Sequence, residues 1–99
     1  MEKRERGNRL KIEIPVLVEI SKEHWRRLKT GNLSEGGMFI EGLFSPPGTI
    51  FDFVLLSSHA IFGTARTCWV GNRGSGCKFT FTDTSIDKLL QELGKEKLC

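Results

Sequence analysis

The sequence predicts a mainly β fold, a small antiparallel barrel finished by a C-terminal helix. Three observations carry that reading. Apolar and polar residues alternate from Ile12 to Ile20 and again in several later short runs. Clusters of Gly, Pro, Ser and Asn separate those runs at short intervals. Only at the end does the period change: Ile86, Leu89, Leu90 and Leu93 fall at i, i+3, i+4 and i+7, one face of a helix. At 99 residues, with no internal repeat, the chain is one domain with one core.

Residues 1–11 read as a basic N-terminal segment, mobile unless something binds it, because residues 1–9 carry almost no apolar side chains. The domain proper spans 12–99. Its first strand places Ile12, Ile14, Val16, Val18 and Ile20 on one apolar face, and Pro15, which cannot donate to a ladder, puts that part at an edge or bulge. The charged stretch 21–27 reads as a connection. Leu28–Leu33 is a weaker strand, broken by Ser34-Glu35-Gly36-Gly37, and Met38–Glu41 is a short one. Ser45-Pro46-Pro47-Gly48 is a turn. Thr49–Leu56 follows with Phe51, Phe53 and Leu55 on one face. After Ser57-Ser58-His59 comes the longest strand, Ala60–Val70, where Gly63 permits a bend or bulge. Residues 71–76 form a turn, and Cys77, Phe79 and Phe81 alternate through the last strand. The helix covers about residues 84–94, with Asp83, Thr84 or Ser85 as cap and Gly94 as stop. Phe39, Phe51, Phe53, Phe79, Phe81, Trp69, Cys68 and Cys77 are expected in the core. Trp25 has two readings, a hairpin residue covering the barrel mouth or a partner contact rimmed by Arg26 and Arg27.

Composition narrows the function classes. No apolar run is long enough for a membrane helix, and the charged N-terminus lacks the stretch a secretory leader needs, so a cytoplasmic protein without membrane insertion is expected. Three cysteines without C-x-x-C spacing argue against a disulfide framework or a zinc site. His24 and His59 stand in polar, turn-like surroundings. No phosphate-binding loop, nucleophile elbow or metal-binding helix motif is present, so no enzyme and no cofactor are expected. The net charge of +3 is too small for general nucleic-acid binding. A barrel binding single-stranded nucleic acid would need regularly spaced exposed aromatics, and the chain has no tyrosine. The charge is concentrated, however: Lys3, Arg4, Arg6, Arg9 and Lys11 crowd the first eleven residues.

The most informative element is Asn32-Leu33-Ser34-Glu35-Gly36-Gly37, an Asn-x-Ser-x-x-Gly signature at a strand junction. Short polar side chains beside bare backbone suit close approach by a flat polar ligand such as a nucleotide base, and the same residues also suit an ordinary turn closed by glycines. Arginines upstream can fork onto phosphates. The ordered set of basic segment, proline-bearing strand and Asn-x-Ser-x-x-Gly resembles the PilZ domain, a bacterial receptor module for cyclic di-GMP. So do Ser45-Pro46-Pro47-Gly48, Cys68-Trp69-Val70 and Gly76-Cys77-Lys78-Phe79.

The resemblance covers nearly the whole chain and implies a six-stranded antiparallel β-barrel with a C-terminal α-helix. It implies a ligand-binding set of Arg4, Arg6, Arg9, Asn32, Ser34, Gly36 and Gly37, with cyclic di-GMP as ligand and an unidentified downstream protein as partner of a monomer or weak homodimer. Asn32, Ser34 and Gly37 match the family element residue by residue. The Arg-x-x-x-Arg element departs from it: Arg9 matches its second arginine, but Glu5 stands in the first position, flanked by Arg4 and Arg6. The resemblance therefore admits two functions. One is a cyclic di-GMP receptor that orders its arginine segment on binding. The other is a degenerate module that docks a partner without the nucleotide.

Overall fold

The computed structural model describes residues 10–98, so the expectations for residues 1–9, Arg4, Arg6 and Arg9 among them, lie outside the described residues. Alternation produces strands where one side of the chain can be buried. These are β1 (Pro15–Ser21), β2 (His24–Leu33), β3 (Gly37–Glu41), β4 (Ile50–Leu56), β5 (Ala60–Val70) and β6 (Gly74–Thr82), followed by α1 (Ile86–Leu98). All neighbouring strands are antiparallel, and they close into a barrel in the order β1-β2-β3-β6-β5-β4.

Inward residues of five strands fill the interior: Val16, Val18, Leu33, Ile40, Phe53, Leu55 and Ile61 are all fully buried. Ile86, Leu89 and Leu90 of α1 join the same cluster, so the helix stripe covers its own barrel. The cap is Ser85, whose Oγ accepts the Lys88 N–H at 3.4 Å. The helix runs past Gly94 to Leu98 instead of stopping there. A glycine within a helix costs only about 1 kcal/mol relative to alanine, and the good helix formers Lys95, Glu96 and Lys97 follow it.

Several boundaries differ from the sequence reading, each for a physical reason. β1 begins at Pro15, not Ile12. Thr30 takes over the pairing of the preceding residues: its hydroxyl donates to Ile12 O at 2.6 Å and accepts the Ile14 N–H at 3.0 Å. Pro15 stands at a strand start, where its missing donor is harmless, and a closed barrel offers no edge. The connection expected over 21–27 shrinks to Lys22 and Glu23, with β2 starting at His24. Both faces of this hairpin end meet water, which erases the alternation that reveals a strand. Glu23 turns the chain with φ 64° while its N–H bonds Glu19 Oε2 at 3.0 Å. Gly74–Gly76, expected in a turn, already pair with β3. The barrel's contacts also reach back beyond residue 12, because Leu10 packs on the core.

The expected core also needs correction. Phe51 and Phe53 are buried, and Phe79 packs on Phe53 with ring centroids 5.4 Å apart. Phe81 is 59% exposed. A register shift between Thr64 and Ala65 leaves Thr80 unmatched on β6, so Phe81 falls on the face opposite to Phe79. A second shift, between Thr67 and Trp69, carries Trp69 out of the interior as well. Cys77 is buried, whereas Cys68, next to buried Thr67, faces out. Phe39 sits between buried Met38 and Ile40 and is only half-buried. Trp25 pairs with Glu19 on the projecting hairpin and is 41% exposed.

Candidate functional site

The junction between β2 and β3 is held by its own polar groups. The Ser34 N–H donates to Gly37 O at 2.9 Å. The Gly37 N–H donates to Ser34 Oγ at 3.2 Å, and the Ser34 hydroxyl reaches Gly37 O at 3.3 Å. One more bond, from the Phe79 N–H to Gly36 O at 2.9 Å, fastens the turn to β6.

Within that turn the two glycines differ. A Cβ at Gly37 would lie 2.2 Å from the backbone oxygen of Cys77, so glycine is what lets β3 approach β6 there. A Cβ at Gly36 would meet nothing within 4 Å, and only this glycine leaves space open toward solvent.

Asn32, Ser34, Gly36 and Gly37 line one surface depression of about 670 Å³, inside the ~300–1,000 Å³ usual for small-molecule sites. Its floor follows from the strand register. Asn32 on β2 pairs with Phe39 on β3, Phe39 with Gly76 on β6, and Gly76 with Trp69 on β5. The four form one row across the outer wall. The Trp69 ring lies over Gly76, where a Cβ would fall 2.2 Å from the indole nitrogen. It continues onto Phe39 as a stack, with centroids 5.5 Å apart and planes at 27°. The result is an aromatic platform, with Trp69 still 53% exposed, beside an amide and a hydroxyl.

Phe39 and Trp69 are the site residues that sequence reasoning missed, together with Cys68 and Lys78 at the rim. The usable signal was Gly76. A glycine inside a strand marks a place where something large lies against the sheet.

Two further features define the site. Leu10 bridges to Leu33, each N–H donating to the other's carbonyl at 2.8 Å. Leu33 lies between Asn32 and Ser34, so Leu10 is held at the rim of the depression, and Arg9 precedes it in sequence. Burial pushes the Cys77 thiol up to about 11, against the lowering effect of the Thr67 hydrogen bond. The thiol itself is therefore neutral at physiological pH.

The family model of the PilZ domain matches residues 2–94. A search of curated proteins found no match. Among solved structures, the Bacillus subtilis inhibitor of motility (MotI/DgrA) superposes with a TM-score of 0.76 at 19% identity, over 98% of this chain and 53% of that one. The chain thus spans about half the length of that protein, and at this identity the likeness is one of fold.

Proposed function

The chain belongs to the PilZ domain family, and from that premise we propose that it is a receptor for cyclic di-GMP acting at the depression between β2, β3, β6 and β5. The observation that carries the proposal is the convergence of three elements. The aromatic row gives a surface for a guanine, Asn32 and Ser34 give polar atoms at its edge, and the Leu10–Leu33 bridge holds beside them the residue that follows Arg9 in sequence.

Each residue then has a chemical role. Trp69 and Phe39 stack on a base. Asn32 can both donate to and accept from a guanine edge. Gly37 O is already satisfied by the Ser34 N–H at 2.9 Å, so the Ser34 hydroxyl proton is free to turn to the ligand without orphaning that carbonyl. Gly36 leaves a base room to approach. Arg9 and Arg4, helped by Arg6, fork onto the phosphates. Fixing residues 4–9 over the barrel costs ~1–2 kcal/mol per residue, which keeps affinity moderate, and the surface so formed is the signal to a downstream protein.

Calorimetric titration with cyclic di-GMP, with GTP as control, tests this. Saturable micromolar binding that Arg9→Ala and Ser34→Ala each weaken supports the assignment. Unchanged affinity in both variants refutes the site. The second reading, a partner-docking module without nucleotide, is favoured by the exposed Phe62 and Phe81 on the outer wall and by Glu5. It predicts no saturation even near millimolar ligand.

A further inference from the structure

The outer wall beside the aromatic platform carries an arrangement that folding alone does not explain. Arg66 on β5 and Lys78 on β6 stand directly opposite each other in the ladder. Both are exposed, and their buried neighbours Ala65, Thr67 and Cys77 fix both side chains on the outer face. Like charges in directly opposed positions of an antiparallel pair destabilise it.

Among the described residues, neither cation has an ion-pair partner: no carboxylate lies within 4.0 Å of either, and both ion pairs found there belong to Lys29. The neighbours across the sheet are Gly37, which has no side chain, and Ile50. The nearest acids by register are Asp52, one diagonal step from Arg66, and Glu35 on the turn beside Lys78.

We infer that Arg66 and Lys78 form a second phosphate-binding pair, supplied by the barrel wall, for the ligand phosphate remote from the N-terminal arginines. The inference rests on the cyclic di-GMP reading above. Lys78 lines the same depression as Asn32 and Trp69. It lies two residues along β6 from Gly76, a step of ~7 Å from the platform. A ligand with two bases and two phosphates presents charge on both sides of a stacked base, and one guanidinium with one ammonium suits a phosphodiester.

The test combines two readouts on Arg66→Gln/Lys78→Gln: calorimetric titration with cyclic di-GMP at two salt concentrations, and thermal unfolding without ligand. The expected result is affinity weakened at least about tenfold with a shallower salt dependence. The unliganded midpoint should stay level or rise, because a repulsion has been removed. The exchanged pair, Arg66→Lys/Lys78→Arg, should retain binding. If the double variant fails to fold, the two single glutamine variants carry the same test.

Affinity unchanged in the glutamine variants, while the parent protein binds, overturns the inference and leaves the receptor reading standing. So does weaker binding accompanied by a clear fall in the unliganded midpoint, which makes the pair structural. A parent protein that never saturates removes the receptor reading and this inference with it.

Discussion

Adjacent glycines at positions 36 and 37 should respond oppositely to the same methyl group. In Gly37→Ala the new Cβ falls 2.2 Å from Cys77 O, 3.2 Å from Cys77 C and 3.3 Å from Lys78 Cα. All three obstacles are backbone, so no rotamer change relieves them, and β3 must move away from β6. Overpacking of this kind costs ~1–3 kcal/mol, and weakening the adjacent ladder bonds adds ~1 kcal/mol, for a total of about 3 kcal/mol. In Gly36→Ala the methyl meets nothing within 4 Å, and the backbone has no positive φ to resist it. That change should stabilise by ~0.4–1 kcal/mol through the unfolded chain. For a domain of this size the gap corresponds to roughly 15 °C or more in unfolding midpoint. Thermal unfolding followed by circular dichroism, backed by urea titration, measures it. Two variants that unfold within about 3 °C of each other would refute the claim that β6 occupies the space at Gly37. Under the proposed function, Gly36→Ala should still lose cyclic di-GMP affinity, separating binding from stability at neighbouring positions.

Three further outcomes are expected. Trp69→Ala should cost only about 1 kcal/mol of stability, since the ring is half exposed, yet abolish most nucleotide affinity; in a Trp25→Phe background, Trp69 fluorescence should change on titration, and unchanged emission through saturation would contradict the platform. Thr30→Val should lose about 2 kcal/mol in urea unfolding, because the buried Ile14 N–H and Ile12 O lose their partner; a neutral result would mean that water replaces the hydroxyl. The raised Cys77 pKa makes the folded state hold its proton longer than the unfolded chain, whose value is near 9.0; stability should therefore fall as pH rises from about 9 to about 11, and this component should vanish in Cys77→Ala. Parallel pH profiles of the two proteins would remove burial of this thiol as the cause.

What could be read from the sequence follows from where one rule holds along a whole element. Phe51, Phe53 and Leu55 alternate without interruption on β4, and all three are buried as expected. The leucine stripe of α1 is equally legible, because its period is regular and its partner is the barrel's own core. The failures cluster where a single inserted residue reverses the face. Trp69 and Phe81 both lie beyond register shifts, and such a shift depends on the partner strand, which no local pattern contains. The hairpin end at His24–Arg27 was hidden for another reason, since a strand wet on both faces has no periodicity to detect. The polar half of the candidate site was therefore visible as a motif, whereas its aromatic half existed only after the strands were paired.

The closed ring of strands has a consequence for how this domain can talk to another protein. Because β4 returns to β1, the ring of strands is continuous, and its longest unpaired edge runs along the β1–β2 hairpin, where residues 24–28 outrun β3 and residues 19–21 outrun β4. Adding a strand, the generic and poorly discriminating mode open to sheets with free edges, is thereby confined to that hairpin. Elsewhere recognition passes through side chains on its walls. Evolution can then retune listeners one surface residue at a time while the scaffold stays unchanged.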